Sequence, residues 1–213
     1  MVAAPTRIHL VRHGEVHNPQ RILYGRLPRF GLSDAGRQQV QAAARWLNDR
    51  SLTALFSSPM LRARQTAQAV ADLNPDLRLQ ISTWLNEVHT RYEGRPGAEL
   101  DASGGDVYTG SGKGYEQPED LVARVRKFSM RVRKRYGGGQ VAAVTHGDIV
   151  TFTVLWALGF EPAPENKTRL RQAGYSVAYP GHASITTLTY RTADPDERPQ
   201  IDYHLPYLAI SSP

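Results

Sequence analysis

The chain has 213 residues, of which 40% are hydrophobic and none is cysteine. This length fits one large domain with a sizeable core, and the lack of cysteine excludes disulfides, thiolate nucleophiles and cysteine-ligated metal centres. The formal net charge of +6 at pH 7 favours anionic ligands. No segment has the pattern of a signal peptide or a membrane span, so we expect a cytoplasmic protein without a membrane partner.

The first predicted strand, residues 6–11, ends in Arg12-His13-Gly14-Glu15. A histidine in this position can act as a nucleophile when a neighbouring cation gathers an anion and a glycine lets backbone N–H groups approach that anion. Apolar residues then recur at helical spacing over residues 33–48, with Ser33 as the expected N-cap. The sequence thus predicts a strand, a candidate nucleophile and a helix in succession.

A second strand and helix follow, and then a short strand, at residues 52–56, 61–73 and 79–81. Arg62 lies at the start of the second helix, where the helix dipole disfavours a cation. This position favours a role for Arg62 as an anion ligand. Glu87 comes shortly after the short strand and is the best placed proton donor.

Residues 89–116 differ in composition from the rest of the chain. They hold seven glycines and few aliphatic residues. This composition predicts a glycine-rich lid or insertion within a single domain that spans residues 1–213.

The spacing of apolar residues predicts a basic amphipathic helix over residues 117–136, which ends at three consecutive glycines. Its cations are Arg124, Arg126, Lys127, Arg131, Arg133, Lys134 and Arg135. Nucleic-acid binding by this cluster is an alternative. The apolar spacing favours the solvated face of a packed helix, so we expect no nucleic-acid partner.

A further strand is predicted at residues 141–145, and like the first strand it leads directly into a histidine and a glycine, His146-Gly147. A buried helix is predicted over residues 148–158. Residues 162–182 form a long segment without a clear pattern. Residues 183–191 alternate as a strand does, and the tail near Ile201 predicts a further edge strand.

The alternation of strands and helices predicts an α/β fold, a three-layer sandwich with a mostly parallel central sheet and helices on both faces. In such folds, ligands bind beyond the carboxyl ends of the strands. Five candidate side chains follow predicted strand ends: Arg12, His13, Arg62, Glu87 and His146. We therefore expect them to meet at one edge of the sheet.

This set of side chains suits the cleavage of a phosphate ester. Arg12 and Arg62 can bind phosphoryl oxygens, and His13 can attack phosphorus through one ring nitrogen if a carbonyl holds the other as N–H. A bound dianion would raise the pKa of His146, which would then act as a third cation. It would also raise the pKa of Glu87, as a general acid requires.

The pieces resemble the histidine phosphatase superfamily, which has the phosphoglycerate-mutase-like fold. The matching segments are residues 10–15, 18, 23–26, 32–36, 57–67, 85–87, 92–94 and 144–147. The resemblance implies a transient phosphohistidine at His13, Glu87 as proton donor, and no metal or cofactor. It implies a phosphate pocket made of Arg12, His13, Asn18, Arg62, His146 and Gly147.

We therefore expect a metal-independent phosphomonoesterase acting on a small phosphorylated metabolite. A mutase would use the same site, but this chain is shorter than mutases of the family, and its His13-to-Asn18 spacing is one residue shorter than theirs. A regulatory module that binds phosphate without turnover is a further alternative. His9, His13 and His17 recur at four-residue spacing, but a helical metal site does not fit their strand-like surroundings.

Overall fold

A computed structural model describes residues 4–102, 104–176 and 178–207. Within these ranges the strands are β1 (Thr6–Arg12), β2 (Leu52–Ser57), β3 (Leu79–Ile81), β4 (Gln140–Thr145), β5 (Ile185–Tyr190) and β6 (Gln200–His204). The α-helices are α1 (Asp34–Asn48), α2 (Leu61–Leu73), α3 (Gly97–Ala102), α4 (Pro118–Tyr136) and α5 (Gly147–Leu158). Two 3₁₀ segments cover Thr83–Leu85 and Pro164–Ala173.

The strands form one sheet in the order β3-β2-β4-β1-β5-β6. The first four strands pair in parallel, whereas β5 is antiparallel to both β1 and β6. The prediction of a mostly parallel α/β sheet is confirmed, and the expected edge strand near Ile201 is β6. The parallel strands bring their carboxyl ends to one edge of the sheet, where the candidate residues follow them.

The two faces of the sheet pack against different helices because successive strand residues point in opposite directions. On β1, Ile8 and Leu10 join a core with α4 and α5, while Val11 joins a core with α1 and α2. Adjacent residues on β4 divide in the same way. The alternation therefore yields the predicted three layers, with the sheet in the middle.

Helix α5 has no solvated face over most of its length. Its residues from Gly147 to Leu155 are all buried, as expected of the apolar run in the sequence. In the described ranges, no helix is both long enough and apolar enough to span a bilayer.

The glycine-rich segment of residues 89–116 contains the short helix α3, which its composition did not predict. Val107 and Tyr108 are buried and join the core beside α5, so the segment is anchored within the domain. The long segment after α5 likewise contains a 3₁₀ helix.

The basic cluster of α4 is only partly the solvated surface that was expected. Four of its seven cations are exposed: Lys127, Arg131, Lys134 and Arg135. Arg126 instead pairs with Asp196, and Arg133 with Glu197 at 3.0 Å. These ion pairs join α4 to the turn between β5 and β6.

Candidate active site

His13 directly follows β1 and is buried, with 1% of its surface exposed. Its Nδ1 lies 2.8 Å from the carbonyl oxygen of Gly14. A carbonyl oxygen can only accept, so Nδ1 carries the hydrogen and Nε2 keeps a free lone pair. Burial, together with the charges of Arg62, His146 and Arg12, holds the pKa of His13 well below its usual value. The imidazole is therefore neutral at pH 7, as a nucleophile must be.

Gly14 allows the turn after β1 to pass close to α1. A Cβ atom at this position would lie 2.7 Å from the carbonyl oxygen of Gly36 and 2.7 Å from Val40. The Gly14 N–H donates to Thr66 Oγ1 at 3.2 Å, which joins the turn to α2. Glycine is thus required here for packing, and the turn holds His13 against both helices.

Arg62, in the first turn of α2, is fully buried. Its Nη2 donates to the carbonyl oxygen of Gly25 at 2.9 Å and lies 3.3 Å from Glu87 Oε2 and 3.2 Å from His146 Nδ1. Its guanidinium also covers the ring of Tyr24 at 4.6 Å. The Nε–H group is buried and makes no hydrogen bond to the described residues.

Arg12, the last residue of β1, is held by a different set of residues from Arg62. It donates to the carbonyl oxygen of Pro180 at 2.5 Å and to His182 Nε2 at 3.0 Å, and it lies 4.9 Å from the ring centre of Tyr179. Its Nε–H is buried and likewise makes no bond to the described part of the chain. Each of the two arginines thus keeps one buried N–H group without a hydrogen-bond partner among the described residues.

His146 follows β4 and is the N-cap of α5. Its Nε2 lies 2.8 Å from Ser58 Oγ, and its Nδ1 lies 3.3 Å from Glu87 Oε2. The imidazole rings of His13 and His146 are 5.2 Å apart between centroids. The two histidines thus face the same small volume.

Without a bound dianion, the protein groups alone lower the pKa of both Glu87 and His146, whereas the expected raised values apply to the site with a dianion bound. Burial tends to raise the pKa of Glu87, but His146, Arg62 and the Val88 N–H outweigh it and lower the value to about 2. Burial lowers the pKa of His146 to about 4, although Glu87 opposes this effect. Neither group keeps a proton at pH 7 unless a bound dianion raises its pKa.

A partly buried ion-pair network holds the backbone that carries Glu87. Arg124 on α4 donates to the carbonyl oxygens of Trp84 and Asn86 at 2.8 and 3.0 Å, and Arg26 donates to that of Glu87 at 2.8 Å. Both guanidiniums bind the carboxylate of Glu116, at 2.8 and 2.7 Å. We call these three residues, Arg26, Glu116 and Arg124, the Glu116 clamp.

The structure brings together the residues predicted to do the chemistry, and it places Asn18 in a local turn. The amide of Asn18 donates to the carbonyl oxygen of Ile22 at 2.8 Å and accepts from the Ile22 N–H at 3.3 Å. The role of Asn18 as a phosphate ligand stays a prediction. Gly147 begins α5, and a Cβ atom there would lie 2.2 Å from the Tyr179 hydroxyl.

Several residues at the site were not found by sequence reasoning: Tyr24, Ser58, Glu116, Tyr179 and His182. Glu116, Tyr179 and His182 lie in segments without periodic pattern, so nothing in the sequence shows which element they face. Tyr24 and Ser58 lie inside matched segments, and their place in those segments was the available signal.

His13, Glu87 and His146 each offer one ligand atom, and these atoms lie within 4.8 Å of one another. Two imidazoles and a carboxylate form a donor set that zinc accepts. However, Nη2 of Arg62 contacts both the carboxylate and His146, and a guanidinium cannot give up its charge. The positive charge of Arg62 would repel a metal cation at this short distance. The cluster, with Arg62 beside it, therefore suits an anion better than a metal.

A cavity of about 770 Å³ opens from this cluster. Arg12, His13 and Glu87 line one part of it, and Leu23 and Val107 are among the apolar residues of its wall. The cavity is large enough for a small organic ligand beyond the anion-binding groups.

The model of the histidine phosphatase superfamily (branch 1) matches residues 8–192. A Mycobacterium tuberculosis protein described as uncharacterized is 38% identical over 151 residues, which are 66% of this chain and 73% of that protein. Fructose-2,6-bisphosphatase TIGAR of Xenopus laevis is 34% identical over 128 residues, 56% of this chain and 46% of that protein.

Among solved structures, a mycobacterial glucosyl-3-phosphoglycerate phosphatase complexed with VO3 is similar, with a TM-score of 0.70 and 25% identity, covering 93% of this chain and 96% of that one. Bacillus stearothermophilus YhfR has a TM-score of 0.73 and 21% identity, covering 94% and 95%. These likenesses confirm the predicted fold.

Proposed function

Because this chain belongs to the histidine phosphatase superfamily (branch 1), we propose that it is a phosphomonoesterase that cleaves a small phosphorylated metabolite through a phosphohistidine at His13. One observation carries the proposal. The buried His13 imidazole, with Nδ1 held by the Gly14 carbonyl, shares a small volume with Arg62, His146 and Glu87. A neutral nucleophile beside fixed cations is what attack on a phosphate dianion needs.

The proposed reaction begins with anion binding. The free Nε–H groups of Arg12 and Arg62 donate to phosphoryl oxygens, and His146 adds a further donor once the dianion raises its pKa. His13 Nε2 then attacks phosphorus. The N–P bond forms as the bond to the leaving alcohol oxygen breaks.

Glu87 serves both halves of the reaction. The dianion raises its pKa from the low value set by His146 and Arg62, so it takes up a proton on substrate binding and gives that proton to the departing alkoxide. In the second half a water molecule attacks phosphorus, the N–P bond breaks, and Glu87 takes the proton of that water. Inorganic phosphate leaves, and His13 returns to its neutral form.

Replacement of His13 by Ala tests the covalent route. We expect turnover of 4-nitrophenyl phosphate to fall by roughly a thousandfold or more, together with loss of the alkali-stable, acid-labile label left by a ³²P-labelled ester. His17→Ala is the matched control, because His17 follows the same strand but is exposed. Normal turnover without any label would contradict the phosphohistidine.

The mutase alternative uses the same groups but returns the phosphoryl group to the substrate. The spacing from His13 to Asn18, one residue shorter than in mutases of the family, favours hydrolysis. Incubation with 3-phosphoglycerate separates the two reactions, because hydrolysis releases inorganic phosphate whereas a mutase yields 2-phosphoglycerate without it.

A further inference from the structure

The cavity beyond the proposed phosphate ligands is poor in available positive charge. Its charged side chains in this part are Asp101, Asp148, Glu165 and Lys167. Asp101 and Glu165 are exposed, so their carboxylates lie at the solvent side of the cavity. This part of the cavity wall therefore carries three carboxylates and one ammonium group.

Lys167 already has an anionic partner. Its Nζ lies 3.7 Å from Asp148 Oδ1, and the side chains of the two residues are 15% and 10% exposed. The ammonium also lies 5.6 Å from the ring centres of both Phe152 and Tyr179. Asp148 in turn accepts from the Tyr108 hydroxyl at 2.5 Å. Asp148 thus balances the positive charge of Lys167 in the cavity wall.

The other cations of the glycine-rich segment, Arg91, Arg95 and Lys113, do not line the cavity. Arg91 donates to the Tyr92 hydroxyl at 3.0 Å, and Arg95 pairs with Glu99 at 3.2 Å. Lys113 is exposed. Within the described ranges, the cations that line the cavity are Arg12, at the proposed phosphate end, and Lys167.

We propose that the substrate is a phosphate monoester whose alcohol part carries no second anionic group, such as a carboxylate or another phosphate. This inference rests on the proposed function and adds the substrate class. Apolar side chains, including Leu23, Val88 and Val107, line the cavity and offer contact to the carbon skeleton of such an alcohol.

Charge decides between the two kinds of ester. A second anionic group in the cavity would come close to the carboxylates of Asp101 and Glu165. It would lose its hydrating water, and no unpaired cation in the described part of the cavity wall would compensate for that loss. Solvent screens the two exposed carboxylates, so we expect a selectivity of about tenfold or more rather than complete exclusion.

Matched pairs of esters test the selectivity. We compare kcat/KM for glycerol 1-phosphate with that for 3-phosphoglycerate, and for glucose 6-phosphate with that for glucose 1,6-bisphosphate. We expect the member without the second anion to be favoured by about tenfold or more in each pair. Equal or better hydrolysis of 3-phosphoglycerate or of the bisphosphate would overturn the inference.

A charge reversal locates the effect in the cavity wall. Glu165→Lys should raise the ratio of 3-phosphoglycerate to glycerol 1-phosphate turnover, whereas Glu161→Lys should leave this ratio unchanged. Glu161 is exposed, lies four residues earlier and does not line the cavity. Equal gains in both variants would attribute the preference to the net charge of the protein and would contradict the inference.

Two further measurements separate the failure of the substrate class from the failure of the proposed function. Turnover of 4-nitrophenyl phosphate in the same preparation reports whether the phosphatase chemistry exists at all. Calorimetric binding of the same four esters to His13→Ala reports the selectivity of the cavity without turnover. Tighter binding of 3-phosphoglycerate than of glycerol 1-phosphate would overturn the substrate class even in an inactive protein.

Discussion

At the scale of single residues, the sequence predicted which side chains meet but not how their protons are arranged. Arg12, His13 and His146 could be placed because each follows a strand that ends at the same edge of the sheet. The low pKa of Glu87 could not be predicted, since it depends on His146 and Arg62, which folding brings within 3.3 Å of the carboxylate. Sequence spacing shows neither how deeply a group is buried nor which charged groups surround it, and both determine these shifts.

Glu87→Gln tests the proton donor. We expect the turnover of an alkyl phosphate to fall by roughly a hundredfold or more, because an alkoxide needs a proton to leave, whereas 4-nitrophenolate leaves without one and its ester should lose far less. Steady-state kinetics on both esters measures the difference. Glu93→Gln serves as the control, since Glu93 binds the Arg26 N–H instead. Equal losses on both esters would remove Glu87 from this role.

At the scale of elements, the strands and helices of the core follow their predicted bounds closely. The helix over residues 61–73 has the predicted ends, and Ser33 is the N-cap of α1, accepting from the Gly36 N–H at 3.0 Å. The segments without periodicity were less predictable. Helix α3 and the 3₁₀ helix at Pro164–Ala173 contain few buried residues, so no periodic apolar pattern in the sequence indicates them.

The Glu116 clamp belongs to this scale, because it joins α4 and the glycine-rich segment to the 3₁₀ turn before Glu87. Glu116→Gln leaves two largely buried guanidiniums without their shared counter-ion, and we expect the free energy of unfolding to fall by about 1–3 kcal/mol. Urea denaturation measures this loss. Glu119→Gln is the control, since Glu119 is exposed at the start of α4.

The same substitution should act on catalysis through the position of Glu87. We expect Glu116→Gln to slow the alkyl ester more than the nitrophenyl ester, in the manner of Glu87→Gln but less strongly. A loss of stability that leaves the ratio of the two rates unchanged would show that the clamp supports the fold without positioning Glu87.

At the scale of the whole molecule, the positive net charge of the chain suits the anionic substrate that we propose. Two cations of α4, Arg126 and Arg133, are paired with acidic residues of the β5–β6 turn. The fully buried cation Arg62 lies at the proposed phosphate site. With the proposed function, the phosphate group would meet this guanidinium inside the domain.

A chelator tests whether this site works without a metal. We expect dialysis against EDTA to leave 4-nitrophenyl phosphatase activity within about twofold, because Arg12 and Arg62 supply the charge that a metal would otherwise provide. Metal analysis of the dialysed protein confirms removal. Loss of activity that added Zn²⁺ restores would instead assign the His13, Glu87 and His146 cluster to a metal ion.

The pairing of β1 with β4 has a consequence for how such a site can diversify. Arg12 lies opposite Thr145 in the parallel ladder, so His13 and His146 each come one residue after partnered positions. The interval between the two imidazoles is fixed by main-chain hydrogen bonds at the centre of the domain. Insertions in the surrounding loops can therefore change which molecule enters without altering the reacting distance.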